Sequence, residues 1–173
     1  MIFTGFKRKS CQIFFNKKIK EQIKSNRKNT SGTIKNIVVV FDETSEKETI
    51  INELKTILNL SEEAIDFIEF QPKIKKTTQA YVISPKDFGW YGKIKSESLK
   101  AILTKKYDLL INYSKVESIY LNLVLLYCKT AFKVGFSNET VDLYDLIIQC
   151  NTSERDIFTI ELQKYLKILN KIN

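Results

Sequence analysis

The sequence predicts an α/β fold: a three-layer, Rossmann-like sandwich with a mostly parallel sheet of five or six strands, preceded by a basic N-terminal helix. Three observations lead there. Short apolar runs alternate along the chain with segments of helical periodicity, the pattern of helices laid over a parallel sheet. Residues 37–41 (IVVVF) form an unbroken β-branched run, as expected of a strand buried on both faces. Ser45 with Glu48 and Ser114 with Glu117 follow strand-like runs at capping-box spacing, where the serine hydroxyl and the glutamate carboxylate satisfy first-turn N–H groups.

The first element is a helix over roughly residues 4–28, because the segment lacks Pro and Cys11, Phe15, Ile19 and Ile23 recur every fourth residue along one stripe. The polar connector 29–32 (NTSG) separates this arm, residues 1–32, from an α/β domain at 33–173. Strand 37–41 ends at Asp42, and Ile50, Ile51, Leu54, Ile57 and Leu58 then repeat at helical spacing. Residues 65–70 (IDFIEF) alternate in polarity and suit a strand near the sheet edge, 80–83 (AYVI) another strand, and 96–103 a helix. The next unit, strand 107–112, helix 117–129 and strand 132–136, reads as βαβ and is expected to cross over right-handedly. Strand 144–149 follows, and Ser153 with Asp156 opens a closing helix reaching about residue 172.

Charge divides the chain as the pattern does. Residues 1–35 carry ten Lys or Arg against the single acid Glu21, a net +9, whereas residues 36–173 sum to −1. The basicity therefore belongs to the arm, whose partners are expected to be polyanions: RNA or the ribosome first, an anionic membrane surface second. The RNA reading assigns phosphate contacts to Lys7, Arg8, Lys9, Lys17, Lys18, Lys20, Lys24, Arg27 and Lys28. The membrane reading inserts Phe3, Phe6, Phe14 and Phe15 among headgroups met by the lysines. A third reading docks the helix on the domain with a solvated basic face. The arm is also expected to be dispensable for folding.

Composition excludes several chemistries. With no histidine among 173 residues, Ser-His-Asp and Cys-His nucleophile systems and His-containing zinc sites are absent. Cys11, Cys128 and Cys150 are an odd set without a CxxC pair, which suggests neither a disulfide framework nor a metal site and favours the cytoplasm. The opening MIFTGFKRKS lacks a secretory apolar core, because Lys7, Arg8 and Lys9 interrupt it. The apolar stretch 119–128 includes Asn122 and is shorter than the about 18 residues of a membrane span. No cofactor is expected.

Open parallel sheets take ligands at the carboxyl ends of their strands. Here Asp42, Thr44, Ser45, Ser114, Cys150, Thr152 and Ser153 could line a crevice for a phosphate or another small molecule, although ordinary capping accounts for the same hydroxyls. The run VVVFDET resembles the strand opening of aspartate-nucleophile phosphatases, but Thr44 stands where they place the acid/base aspartate. Cys150 and Arg155 resemble the phosphatase loop CxxxxxR, one residue short and without its glycine. Finally, residues 86–93 (KDFGWYGK) interleave aromatics with lysines. Trp90, Tyr91 and Lys93 could stack a base and neutralise its phosphate, or the aromatics could anchor the loop to the domain.

The run SPKDFGWYGKIKSESLKAILTKKYDLLINY, with FKVGFSNE, YDLIIQ and ELQKYLKILNKI, resembles a small uncharacterised family of Bacteroidetes proteins across most of residues 37–173. That resemblance implies no activity. The segment YDLLINYS, the following helix and FKVGF are also similar to the N-terminal, acceptor-side Rossmann-like half of heptosyltransferase-type glycosyltransferases. Asp42-Glu43-Thr44-Ser45 replaces that family's Gly-Asp loop and no second domain is present, so the similarity implies a fold and not glycosyl transfer. The resulting expectation is a noncatalytic, RNA- or ribosome-associated cytoplasmic protein, with a small-ligand enzyme at the strand-end crevice and a peripheral membrane protein as alternatives.

Overall fold

The computed structural model describes residues 2–24, 32–42, 47–73, 82–136, 141–151 and 154–172. Six strands form one sheet in the order β3-β2-β1-β4-β5-β6, every pair parallel. They are β1 (Ile37–Asp42), β2 (Ile65–Phe70), β3 (Val82–Ile83), β4 (Lys106–Asn112), β5 (Lys129–Phe136) and β6 (Leu146–Ile148). Helices α1 (Ile2–Lys24), α2 (Lys47–Leu58), α3 (Glu97–Thr104), α4 (Ile119–Tyr127) and α5 (Arg155–Ile168) cover its two faces. The sheet is thus the predicted Rossmann-like arrangement, and its order reverses between β1 and β4.

Strand parity builds the layers. In β1, Val38 and Val40 enter a core with α1, α3 and α4, whereas Ile37, Val39 and Phe41 enter a second core with α2 and α5. All six residues of β1 are buried, which explains the unbroken apolar run, while β2, one place from the edge, keeps Asp66, Phe67 and Glu69 half-buried.

Several boundaries differ from the sequence expectation. Ser114 does not cap a helix from Glu117: α4 starts at Ile119, and its N-cap is Ser118, whose Oγ accepts from Tyr120 N–H at 3.3 Å. β5 begins at Lys129, not Phe132, because Lys129 and Thr130 pair with Lys106 and Tyr107. Strand β6 excludes Tyr144, whose side chain has another use, described below. α5 stops at Ile168, because Asn170 adopts a left-handed φ of 52° and Lys171 N–H bonds back to the Leu166 carbonyl at 2.8 Å. Thr44, Ser45, Thr152, Ser153 and residues 80 and 81 of the 80–83 run lie outside the described residues.

Helix α1 joins the first core. Of its predicted stripe, Cys11 at 0%, Phe15 at 4% and Ile19 at 9% exposure are buried, and the Ile23 side chain lies outside the described residues. Among the described residues no helix is long and apolar enough to cross a membrane.

Candidate nucleic-acid interface

At the carboxyl ends of the strands, the described side chains hydrogen-bond to one another. Asp42, at the end of β1, is fully buried, and its Oδ2 accepts from Ser114 Oγ at 3.2 Å and Lys115 N–H at 2.5 Å. Asn112 ends β4; its Oδ1 accepts from Ser114 N–H at 3.0 Å and its Nδ2 donates to the Tyr144 hydroxyl at 2.7 Å. Gly135 permits that reach: a Cβ there would lie 2.4 Å from the Tyr144 ring. The structure thus brings Asp42 and Ser114 together in a hydrogen-bonded network in which the carboxylate holds a strand-end loop.

Cys150 does not join them. It packs against the α2/α5 core, and burial, with Glu154 nearby, holds its thiol above the ordinary cysteine range. Arg155, the other half of the phosphatase-like pattern, pairs instead with Glu53 at 3.4 Å. A protonated thiol and an arginine committed to a carboxylate do not make an anion clamp.

The open surface lies where α1 meets the loop before α3. Ser84 and Asp87 close a capping box around the 3-10 turn Pro85–Asp87, with Ser84 N–H donating to Asp87 Oδ2 at 2.7 Å and Lys86 N–H to Ser84 Oγ at 3.1 Å. Phe88 is fully buried 5.3 Å from the Tyr120 ring of α4, and it bridges to Ile94 in antiparallel fashion. The chain then turns tightly: Gly89 N–H donates to the Lys93 carbonyl at 2.6 Å, and Tyr91 and Gly92 take left-handed φ values of 52° and 71°. Gly92 faces Phe14 and Leu123 so closely that a Cβ would meet them at 3.0 to 3.1 Å. Of the three aromatics, Phe88 anchors the loop, while Trp90 is 49% and Tyr91 63% exposed.

Four contacts fasten this loop to α1. Lys7 Nζ donates to the carbonyls of Pro85 at 2.8 Å and Phe88 at 3.1 Å, Cys11 Sγ to the Gly89 carbonyl at 3.4 Å, and Tyr91 N–H to Ser10 Oγ at 3.1 Å. Two expectations change accordingly. Lys7 is withdrawn from the phosphate-binding set, since its ammonium serves carbonyls of the fold. Phe14 and Phe15 are unavailable to a bilayer, because Phe15 is buried and Phe14 packs beside Tyr127 with ring centroids 6.0 Å apart.

The remaining basic residues divide. Arg8, Lys9, Lys17 and Lys20 are exposed, as are Lys93 and Lys95 of the loop. Lys18 is exposed too, but it pairs with Glu21 at 2.7 Å and lowers that acid's pKa. Lys24 ends α1, and Arg27 and Lys28 lie outside the described residues. On its other flank α1 borders a groove of about 340 Å³, where Gln12 and Asn16 meet Asn122, Glu117 and Asp142. Its charged lining is acidic and repels phosphates.

Residues 7–169 match the model of DUF6913, a family of unknown function, and the chain belongs to that family. The match starts within α1 and so takes in the basic helix together with the sheet. Neither the curated proteins nor the solved structures searched contain a match to this chain.

Proposed function

We propose that this member of DUF6913 is a noncatalytic RNA-binding protein, ribosomal RNA included, which works in the cytoplasm and holds its ligand along the exposed basic side of α1. One observation carries the reading. Lys9, Lys17 and Lys20 are exposed within one sector of a helix whose opposite stripe is locked into the core, so these cations are presented on a rigid rod beside a domain with a net charge of −1 over residues 36–173. A fixed row of cations neutralises phosphates and releases their counterions, the sequence-independent source of RNA affinity. The hydrogen-bonded strand-end network supports the noncatalytic part, because Asp42 Oδ2 and Ser114 serve to hold the loop after β4.

The test is anisotropy of labelled RNA against the intact protein over a range of salt. Three phosphate contacts give a slope of log K on log salt of about −2.1 for single strands and about −2.7 for duplexes. Reversal of Lys9, Lys17 and Lys20 to Glu is expected to abolish binding with the melting temperature retained. A triple variant that binds as the parent does refutes the proposal.

A further inference from the structure

Resting on that RNA-binding reading, we propose that the Gly89–Lys93 turn is a stacking subsite for unpaired nucleobases, so that the ligand is single-stranded RNA. The fold does not account for the two rings displayed there. Tyr91 sits at φ 52° and ψ 34°, a region that penalises bulky L-residues and that glycine occupies without strain. Its ring is 63% exposed, so little burial compensates the conformation, and the neighbouring Trp90 is 49% exposed. A glycine at position 91 would serve the turn better. Strain retained where it displays a side chain points to a use for that side chain.

The platform is also preorganised. The turn closes on itself through Gly89 N–H to Lys93 O and Lys93 N–H to Trp90 O, and it is tied to α1 through Ser10 and Cys11 and to α4 through the Tyr127 hydroxyl, which donates to the Gly92 carbonyl at 3.1 Å. Ser10 shares one flank of α1 with Phe6, Ile13 and Lys17, at spacings of four, three and four residues, and this flank faces the turn. The flank that receives the turn thus also carries the exposed Phe6, Ile13 and Lys17, and the chain leaving the turn carries the exposed Lys93 and Lys95. Aromatic faces with surrounding cations suit a strand whose bases are splayed out, and stacking accepts every base because every base has a π face. A duplex hides those faces. The acid-lined groove occupies the opposite flank of α1, which directs a polyanion to this one.

Trp90 is the sole tryptophan, so its fluorescence reports on the subsite directly. A short RNA without self-complementarity is titrated against the full chain, beside a duplex of equal length and vesicles of phosphatidylglycerol. Quenching by the single strand and none by the duplex is expected. Tyr91→Gly relieves the backbone while removing the ring, so it is expected to melt no lower than the parent and to bind the single strand about 5- to 150-fold more weakly. Trp90→Ala, its fold checked by melting, loses a similar factor. If both variants bind as the parent does while the Lys9, Lys17 and Lys20 reversal abolishes binding, the stacking subsite is refuted and the RNA-binding reading stands. Equal affinity for duplex and single strand also refutes the subsite alone. Binding to vesicles and to neither RNA refutes both.

Discussion

Phe15→Ala measures whether α1 belongs to the fold. The ring is 4% exposed and sits in the core shared with α4 and the sheet face containing Val38, Val40 and Leu110. Truncating a buried Phe removes its transfer free energy and leaves a cavity, together about 3–5 kcal/mol. Phe15 also borders the 340 Å³ groove, so water can occupy part of the vacated space, and the lower end, about 3 kcal/mol, is expected. For a chain of this size each kcal/mol lowers the melting temperature by about 2–4 °C, giving a drop of roughly 6–12 °C. The assay is thermal unfolding followed by circular dichroism in the far and near ultraviolet, with Ile13→Ala as control. Ile13 lies on the same helix but is 58% exposed, and its truncation is expected to change stability by no more than about 0.5 kcal/mol. Melting of Phe15→Ala at the parent's temperature, or a separate early transition confined to α1, would show an appendage and refute the reasoning. The same packing argues against a stable domain lacking residues 1–28, since their removal exposes the apolar side of α4.

Two further outcomes follow from single contacts. Gly135→Ala places a methyl 2.4 Å from the Tyr144 ring, which must swing away and release Asn112; destabilisation of about 1–3 kcal/mol is expected in urea titrations, and Tyr144→Ala in the same background should remove the clash, a double variant no more stable than the sum of the singles being the contrary result. Burial raises the Cys128 thiol to about 12, despite the opposing Lys133 charge. Since the folded pKa exceeds the unfolded value near 9.0, this stabilising contribution is complete below that value and fades as pH climbs toward the folded one. Urea midpoints of Cys128→Ala and the parent should therefore converge between those limits, and a pH-independent gap would contradict the assignment.

Much of the fold was legible because burial on both faces leaves an unmistakable mark, as in IVVVF, and because the four-residue stripe of α1 needs only local periodicity. The misplaced start of α4 has a different origin. YSKVES offers two serines with capping potential, and locally Ser114 with Glu117 is the better box. The choice is made by Asp42, 72 residues earlier, whose buried carboxylate requires donors and takes both Ser114 Oγ and Lys115 N–H. A carboxylate left without them would carry a large desolvation penalty, so the tertiary requirement outweighs one capping bond and Ser118 takes the cap. The side chain of Tyr144, which lies outside β6, is likewise held by a distant partner: its hydroxyl accepts from Asn112 Nδ2 at the end of β4, a demand with no local signature.

The candidate interface shows the same division between composition and placement. Aromatics beside lysines in KDFGWYGK mark a surface with binding potential, but the sequence does not say which ring points inward. Packing decides it: Phe88 has no polar atom to strand and fills the site beside Tyr120, whereas the left-handed backbone at Tyr91 and Gly92 turns the next rings outward. Lys7 was indistinguishable in sequence from Lys9 and Lys17, yet its ammonium meets carbonyls 78 and 81 residues away. With the Cys11 and Ser10 contacts, that long-range bond locks the helix to the turn and converts two patterns, a basic arm and an aromatic loop, into one continuous surface. Lys7→Met therefore tests the coupling: it deletes the donor while keeping the stem, and if arm and turn act together it must weaken RNA binding although Lys7 itself touches no phosphate.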